Sequence, residues 1–229
     1  MIYPPAKALL EAFSKENIFT EHKATLIGGT AIAYHAEHRV SFDLDICFPH
    51  HTTLPSLDFL KSYNVKALPF DRAIIDTMMN EGGVMEEYHQ RFSIDGVKVD
   101  FVVNPSSNIY EKEILQKEQG VTYGTLKITS LDALFKLKSL LILDRNKIRD
   151  LYDLVYLLKY HDYTAKNILD TIKEYRITYT DKQIVQLVES KSADELDVEF
   201  EGISEPTMDI TSYNALKKIL VASLIAESY

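Results

Sequence analysis

The stretch Leu-Ile-Gly-Gly-Thr-Ala-Ile-Ala-Tyr-His-Ala-Glu-His-Arg-Val-Ser-Phe-Asp-Leu-Asp-Ile-Cys-Phe, residues 26–48, decides the fold. Residues 24–28 read as a short buried strand stopped by Gly28-Gly29. Residues 30–37 resume as a helix, with Thr30 as its N-cap. Residues 42–48 alternate apolar and acidic, the period of a strand. On that strand Asp43 and Asp45 stand at i and i+2, on one face, with Cα atoms ~6.5 Å apart. Two anions on one face repel, and burial would raise their pKa values. A divalent cation removes both problems, and hard oxygen ligands suit Mg2+ bound through a few carboxylates and substrate phosphates. A solvated strand face is the other reading of Asp-Leu-Asp taken alone.

Two further features point to phosphate chemistry. Gly28 and Gly29 lack a Cβ, so backbone there can approach a phosphate, and the helix that follows offers free N–H groups and a positive dipole end. Thr30 adds a hydroxyl. A tight turn is the plainer reading of Gly-Gly. Asp100 interrupts the apolar run Val-Lys-Val-Asp-Phe-Val-Val at 97–103, where a free acid would be costly if buried. If its strand neighbours that of Asp43 and Asp45, three carboxylates converge. That is what a two-metal phosphoryl-transfer site requires, and Asp100 could also serve as general base.

Working outward, residues 5–16 read as an amphipathic helix and residues 54–63 as another. Residues 88–103 form a hairpin around Asp95-Gly96, a pair that tolerates positive φ at both positions. Residues 121–128 add a strand. After Ser130 the spacing turns helical: 131–143 and 148–160 flank a break at Asp144–Lys147, and helices follow over 164–175, 181–191 and 211–227. The chain is therefore α+β in its first half and helical in its second, with domains at 1–129 and 130–229.

Composition narrows the classes. With 229 residues, 46% hydrophobic and 26% charged, the chain is an ordinary globular one. Cys47 is its sole cysteine, so neither a disulfide framework nor a Cys-based zinc site forms within one chain, and a reducing cytoplasm fits. No apolar run is long enough to span a membrane, and the first residues lack a signal-peptide pattern. The net charge of −9 argues against holding nucleic acid by bulk electrostatics. Much of it is local: Asp194 to Asp209 carries seven acids and no Lys or Arg, a solvated segment or a docking surface for a basic partner.

A hydrophobic residue, Gly-Gly, thirteen intervening residues, then Asp-Leu-Asp, with a later strand acid, resembles the DNA polymerase β-type nucleotidyltransferase pattern. The closer resemblance is to the AbiEii/AbiGii abortive-infection nucleotidyltransferase toxins, a group that includes MenT-like toxins. Gly-Gly-Thr-Ala-Ile-Ala with His-Arg-Val-Ser-Phe-Asp-Leu-Asp-Ile is similar to that family's first motif, and Lys98-Val-Asp100 to its second. Lys138, seven residues before Arg145, and Arg149-Asp-Leu-Tyr-Asp-Leu154 look like its later motifs. The match spans residues 24–158.

The resemblance implies a minimal nucleotidyltransferase fold, a mixed sheet with flanking helices, followed by a helical domain. It implies Mg2+-dependent transfer of NMP from an NTP, with the 3′ end of tRNA as acceptor, and a separate antitoxin partner. It assigns metal binding to Asp43, Asp45 and Asp100, and nucleotide contact to Gly28, Gly29, Thr30, Arg39, Ser41, Lys138, Arg149 and Asp153. Asp150 and Lys138 join the catalytic set. Residue by residue, the alternatives stay open: Lys138 as a helix-surface lysine, Asp150 as a helix cap, Arg39 as a brace for an aspartate. His35 and His38 read as packing residues. Two other functions compete: nucleotidyl transfer to a small molecule such as an antibiotic, and non-catalytic nucleotide binding.

Overall fold

The computed structural model describes residues 1–80, 82–104, 111–118, 120–192 and 213–228. The acidic run 194–209 lies outside them, as do the first residues of the helix expected over 211–227. The chain divides into two compact units, Met1–Ala133 and Leu134–Tyr229.

The first unit runs α1 (Pro4–Phe13), α2 (Asn17–Glu21), β1 (Thr25–Ile27), α3 (Gly28–Ala36), β2 (Leu44–Cys47), a 3-10 turn (Asp58–Ser62) and β3 (Val65–Ala67). It continues with α4 (Arg72–Asn80), α5 (Met85–Tyr88), β4 (His89–Ile94), β5 (Val97–Val102), α6 (Lys112–Lys117), β6 (Val121–Tyr123) and β7 (Leu126–Ile128). The seven strands form one mixed sheet in the order β3-β4-β5-β2-β1-β7-β6. β2 lies parallel to β5 and β1 parallel to β7, while the other neighbours are antiparallel. Leu44, Ile46, Val99 and Phe101 are wholly buried on one face. The ring of Phe101 meets those of Phe13, Phe48 and Phe59 at 6.1–6.4 Å between centroids.

The hairpin turn has φ of 49° at Asp95 and 84° at Gly96, the primed geometry that the pair predicts. Three expectations are corrected. Residues 54–63 form only the 3-10 turn, because Pro55 keeps Leu54 out of the helical region. Residues 121–128 are a hairpin rather than one strand, turned at Gly124, whose φ is +62° and whose Cα sits against the Ser14 carbonyl. Thr30 is not the N-cap of α3: the helix begins at Gly28 and Ile27 holds that position.

The second unit holds most of α7 (Leu131–Asp144), with α8 (Ile148–Tyr160), α9 (Ala165–Tyr175), α10 (Asp181–Ser190) and α11 (Tyr213–Glu227). Leu216, Leu220 and Leu224, four apart on α11, are buried, and α11 packs against α8, α9 and α10. Thr164 with Asn167 and Thr180 with Gln183 close capping boxes that start α9 and α10. No described helix is long and apolar enough to cross a membrane.

Candidate active site

The first turn of α3 is built against an extended segment whose odd-numbered residues, Arg39 to Asp45, face it. The Cα of Gly28 lies against the Asp45 carboxylate, and any Cβ there would collide with Oδ2. Gly29 lies against the Arg39 guanidinium, and a Cβ built on it would also come 3.3 Å from Ser41 Oγ. The Thr30 hydroxyl shares a 2.8 Å hydrogen bond with Ser41 Oγ and contacts the Asp43 carbonyl. Ser41 Oγ lies 3.5 Å from Asp43 Oδ1. The motif spacing thus has a mechanical reason: three consecutive helix residues register four alternate residues of the extended segment.

Thr30, Arg39 and Ser41 are buried, at 1%, 5% and 0% exposure. Their assignment to nucleotide contact therefore changes: Thr30 and Ser41 direct their hydroxyls inward, onto each other and Asp43, and Arg39 seats on Gly29. Gly28→Ala adds a collision with Asp45 to a strained positive φ worth about 1–2 kcal/mol. A 1 Å displacement of a positioned group costs on the order of a hundredfold in rate. We expect Gly28→Ala to lower nucleotidyl transfer by about that factor, read as kcat/KM beside a melting curve.

Asp45 and Asp100 are direct cross-strand neighbours in the parallel β2–β5 register. Strand spacing puts them ~4.8 Å apart in the sheet, with side chains on one face. The environments of the acids differ. Asp43 and Asp45 are half-buried, whereas Asp100 is only 4% exposed. Asp100 Oδ1 accepts hydrogen bonds from His89 Nε2 at 2.6 Å and Arg91 Nε at 2.7 Å. Lys98 Nζ lies 3.0 Å from Oδ2. Burial pushes the Asp100 carboxyl up, but the His89 hydrogen bond and the charges of Lys98 and Arg91 outweigh it and hold it well below the ordinary range.

Among the described residues no three His, Cys, Asp or Glu side chains gather as a ready metal cage. The donor set that fits Mg2+ is the half-buried pair Asp43 and Asp45, to be completed by substrate phosphates. Asp100 stands across the ladder from Asp45 with Oδ1 on His89 and Arg91, while its buried Oδ2 has Lys98 at 3.0 Å but no hydrogen-bond partner among the described residues.

In the second unit Lys138 of α7 is buried between two buried acids of α8. Its Nζ lies 2.5 Å from Asp150 Oδ1 and 2.8 Å from Asp153 Oδ2. Arg145 adds hydrogen bonds of 2.6 Å and 3.0 Å to Asp150. Lys138 is therefore no surface lysine, and Asp150 is more than a cap: it holds Lys138 and Arg145 together. Arg149 is half-buried and, among the described residues, joins no ion pair with these acids. His35 bonds the Thr129 carbonyl at 2.8 Å and His38 is buried, both as packing residues.

Burial pushes the Asp150 carboxyl up, but Lys138 and Arg145 outweigh it and bring it to about 2. A carboxyl depressed on folding stabilises the protein above its ordinary pKa and loses that contribution as pH falls toward the folded value. Stability to urea should therefore drop between about pH 4 and pH 2, and Asp150→Asn should flatten that limb.

His89 and Arg91 escaped the sequence reading, although the signal was present. A two-residue turn at Asp95-Gly96 fixes the hairpin register, and that register pairs Arg91 with Asp100. Lys98, at i−2, then falls on the same face.

A glycine-opened helix, a strand with a carboxylate pair beside it, and a mixed sheet backed by helices define a nucleotidyltransferase-type site. The AbiEii nucleotidyl transferase toxin family, of type IV toxin–antitoxin systems, matches residues 9–218, and the chain belongs to that family. Comparison with curated proteins gave no match.

Proposed function

We propose that the protein transfers a nucleotidyl group from an NTP to the 3′ end of tRNA in a Mg2+-dependent reaction, and that a cognate antitoxin restrains it in the cytoplasm. The observation that carries the site assignment is the placement of Gly28, Asp45 and Asp43 around one helix turn, in a chain of this toxin family. Asp43 and Asp45 would hold the metal, whose chemistry is to neutralise charge on the triphosphate. Thr30 and Ser41 fix the backbone and side chain of Asp43. Gly28 lets the first turn of α3 approach Asp45, bringing its free N–H groups to the end where phosphates bind. The acceptor hydroxyl oxygen forms a bond to the α-phosphorus, the bond to the β-phosphate bridge breaks, pyrophosphate leaves and the hydroxyl proton is released.

Features of the second unit support a nucleic-acid acceptor. Arg145, Lys147 and Arg149 cluster at the start of α8, and the rings of Tyr156 and Tyr160 lie 4.7 Å apart along that helix, with Lys159 over Tyr160. A basic start to the helix and, two turns on, a lysine beside paired rings suit an unpaired RNA end.

The test is incubation of the purified chain with each labelled NTP, Mg2+ and either total tRNA or a panel of aminoglycosides. Label should enter tRNA, be lost with EDTA, and fall steeply between low and moderate salt, because counterion release governs such binding. Label entering the antibiotics alone, indifferent to salt, would refute the tRNA assignment.

A further inference from the structure

We infer that Asp100 is a positioning residue rather than a metal ligand: it holds Arg91 and Lys98 on the sheet face beside Asp45, where these two cations bind the triphosphate. The inference rests on the nucleotidyltransferase reading above and names the protein groups that meet the polyphosphate.

Four observations carry it. First, His89 and Arg91 take Oδ1 of Asp100, and Lys98 stands 3.0 Å from Oδ2, a buried oxygen with no hydrogen-bond partner among the described residues. Second, the cluster is layered. The Asp100 side chain is 5% exposed, whereas those of Lys98, Arg91 and His89 are 44%, 30% and 27% exposed. A ligand reaching this face meets cations before it meets the carboxylate.

Third, Arg91 uses Nε toward Asp100, so among the described residues the paired terminal nitrogens of its guanidinium make no hydrogen bond to the protein. Those nitrogens form the planar fork that matches two phosphate oxygens. The guanidinium lies 4.8 Å from the centre of the Phe70 ring, and that ring also packs on His89 at 4.6 Å. Arg91 is thus held before any ligand arrives, which lowers the ordering cost of binding.

Fourth, the position is right for a polyphosphate. The register sets Asp100 beside Asp45 on one side and Arg91 on the other. A metal ion on Asp100 would sit between Arg91 and Lys98 and be repelled by both. A triphosphate whose metal sits on Asp43 and Asp45 would extend toward them and be attracted.

The experiment uses the full chain and two probes that need no turnover. Mn2+ binding is read from the electron paramagnetic resonance of the free ion. Inorganic tripolyphosphate binding, with saturating Mg2+, is read by calorimetry beside orthophosphate. Asp45→Asn should weaken Mn2+ binding at least tenfold, while Asp100→Asn stays within about twofold of wild type. Arg91→Gln and Lys98→Gln, both at partly exposed side chains, should each weaken tripolyphosphate about tenfold with orthophosphate and Mn2+ unchanged. These two variants keep the test open if Asp100→Asn fails to fold. Loss of Mn2+ in Asp100→Asn equal to that in Asp45→Asn overturns the inference and makes Asp100 a ligand. Tripolyphosphate binding at wild-type strength in both Gln variants overturns it as well. A wild-type chain that holds neither probe removes the nucleotidyltransferase reading itself, a result distinct from the other two.

Discussion

Asp45→Asn is expected to lower nucleotidyl transfer by a factor of about a thousand or more while leaving the fold intact. A metal ion supplies several kcal/mol of charge stabilisation in the transition state, and about 4 kcal/mol corresponds to three orders of magnitude. Asp45 is half-buried at the end of β2 beside Gly28, so Asn fits the same space. Asn keeps the volume and one hydrogen-bonding oxygen of the Asp45 side chain, so the melting temperature should stay within a few degrees of wild type. Single-turnover transfer with labelled NTP, together with a thermal melt, separates the two effects. Transfer within tenfold of wild type would remove Asp45 from the metal site. A large fall in melting temperature would instead make it a structural residue.

What could be read from the sequence follows the range of the physics involved. The Gly28-Gly29 break, the Asp95-Gly96 hairpin and the helices after Ser130 are local patterns, and the structure forms each of them. The α+β fold, with a mixed sheet and a helical second half, follows from their order. Short elements were not legible: β3 and α5 have three and four residues, too few for a period to show. At the site, residue types pointed to the right turn but not to what each group does inside it. Thr30, Arg39 and Ser41 stand in the motif as polar residues, and sequence cannot tell a hydroxyl aimed at a ligand from one aimed at Asp43. Asp100 was legible as an acid in an apolar strand. Its surroundings depend on a neighbouring strand and on β4, and long-range pairing of that kind is visible only where a tight turn fixes the register.

Lys138 carries the other large expected effect, and it falls on stability first. The sequence alone suggests that Lys138→Ala spares the fold and weakens only the transition state. The structure places that ammonium, 7% exposed, between carboxylates of 3% and 0% exposure. Removing one partner of a buried ion pair costs about 3–5 kcal/mol, because the charge left behind has lost both its partner and its water. Lys138→Met keeps the volume and isolates the charge, so its unfolding free energy should fall by that amount, read as a lower urea midpoint with an unchanged denaturant slope. Removing a carboxylate as well should restore part of the loss: Lys138→Met with Asp153→Leu is expected to recover at least half, as buried ion pairs replaced by apolar groups often do. Arg145 provides the contrast. Its side chain is 42% exposed, and Lys138 still faces Asp150 when it is gone, so Arg145→Ala should cost well under half as much. A Lys138→Met protein as stable as wild type would show that the two aspartates are held by other partners and that the lysine is free to serve the nucleotide. The expected collapse would assign Lys138 to holding α7 on α8.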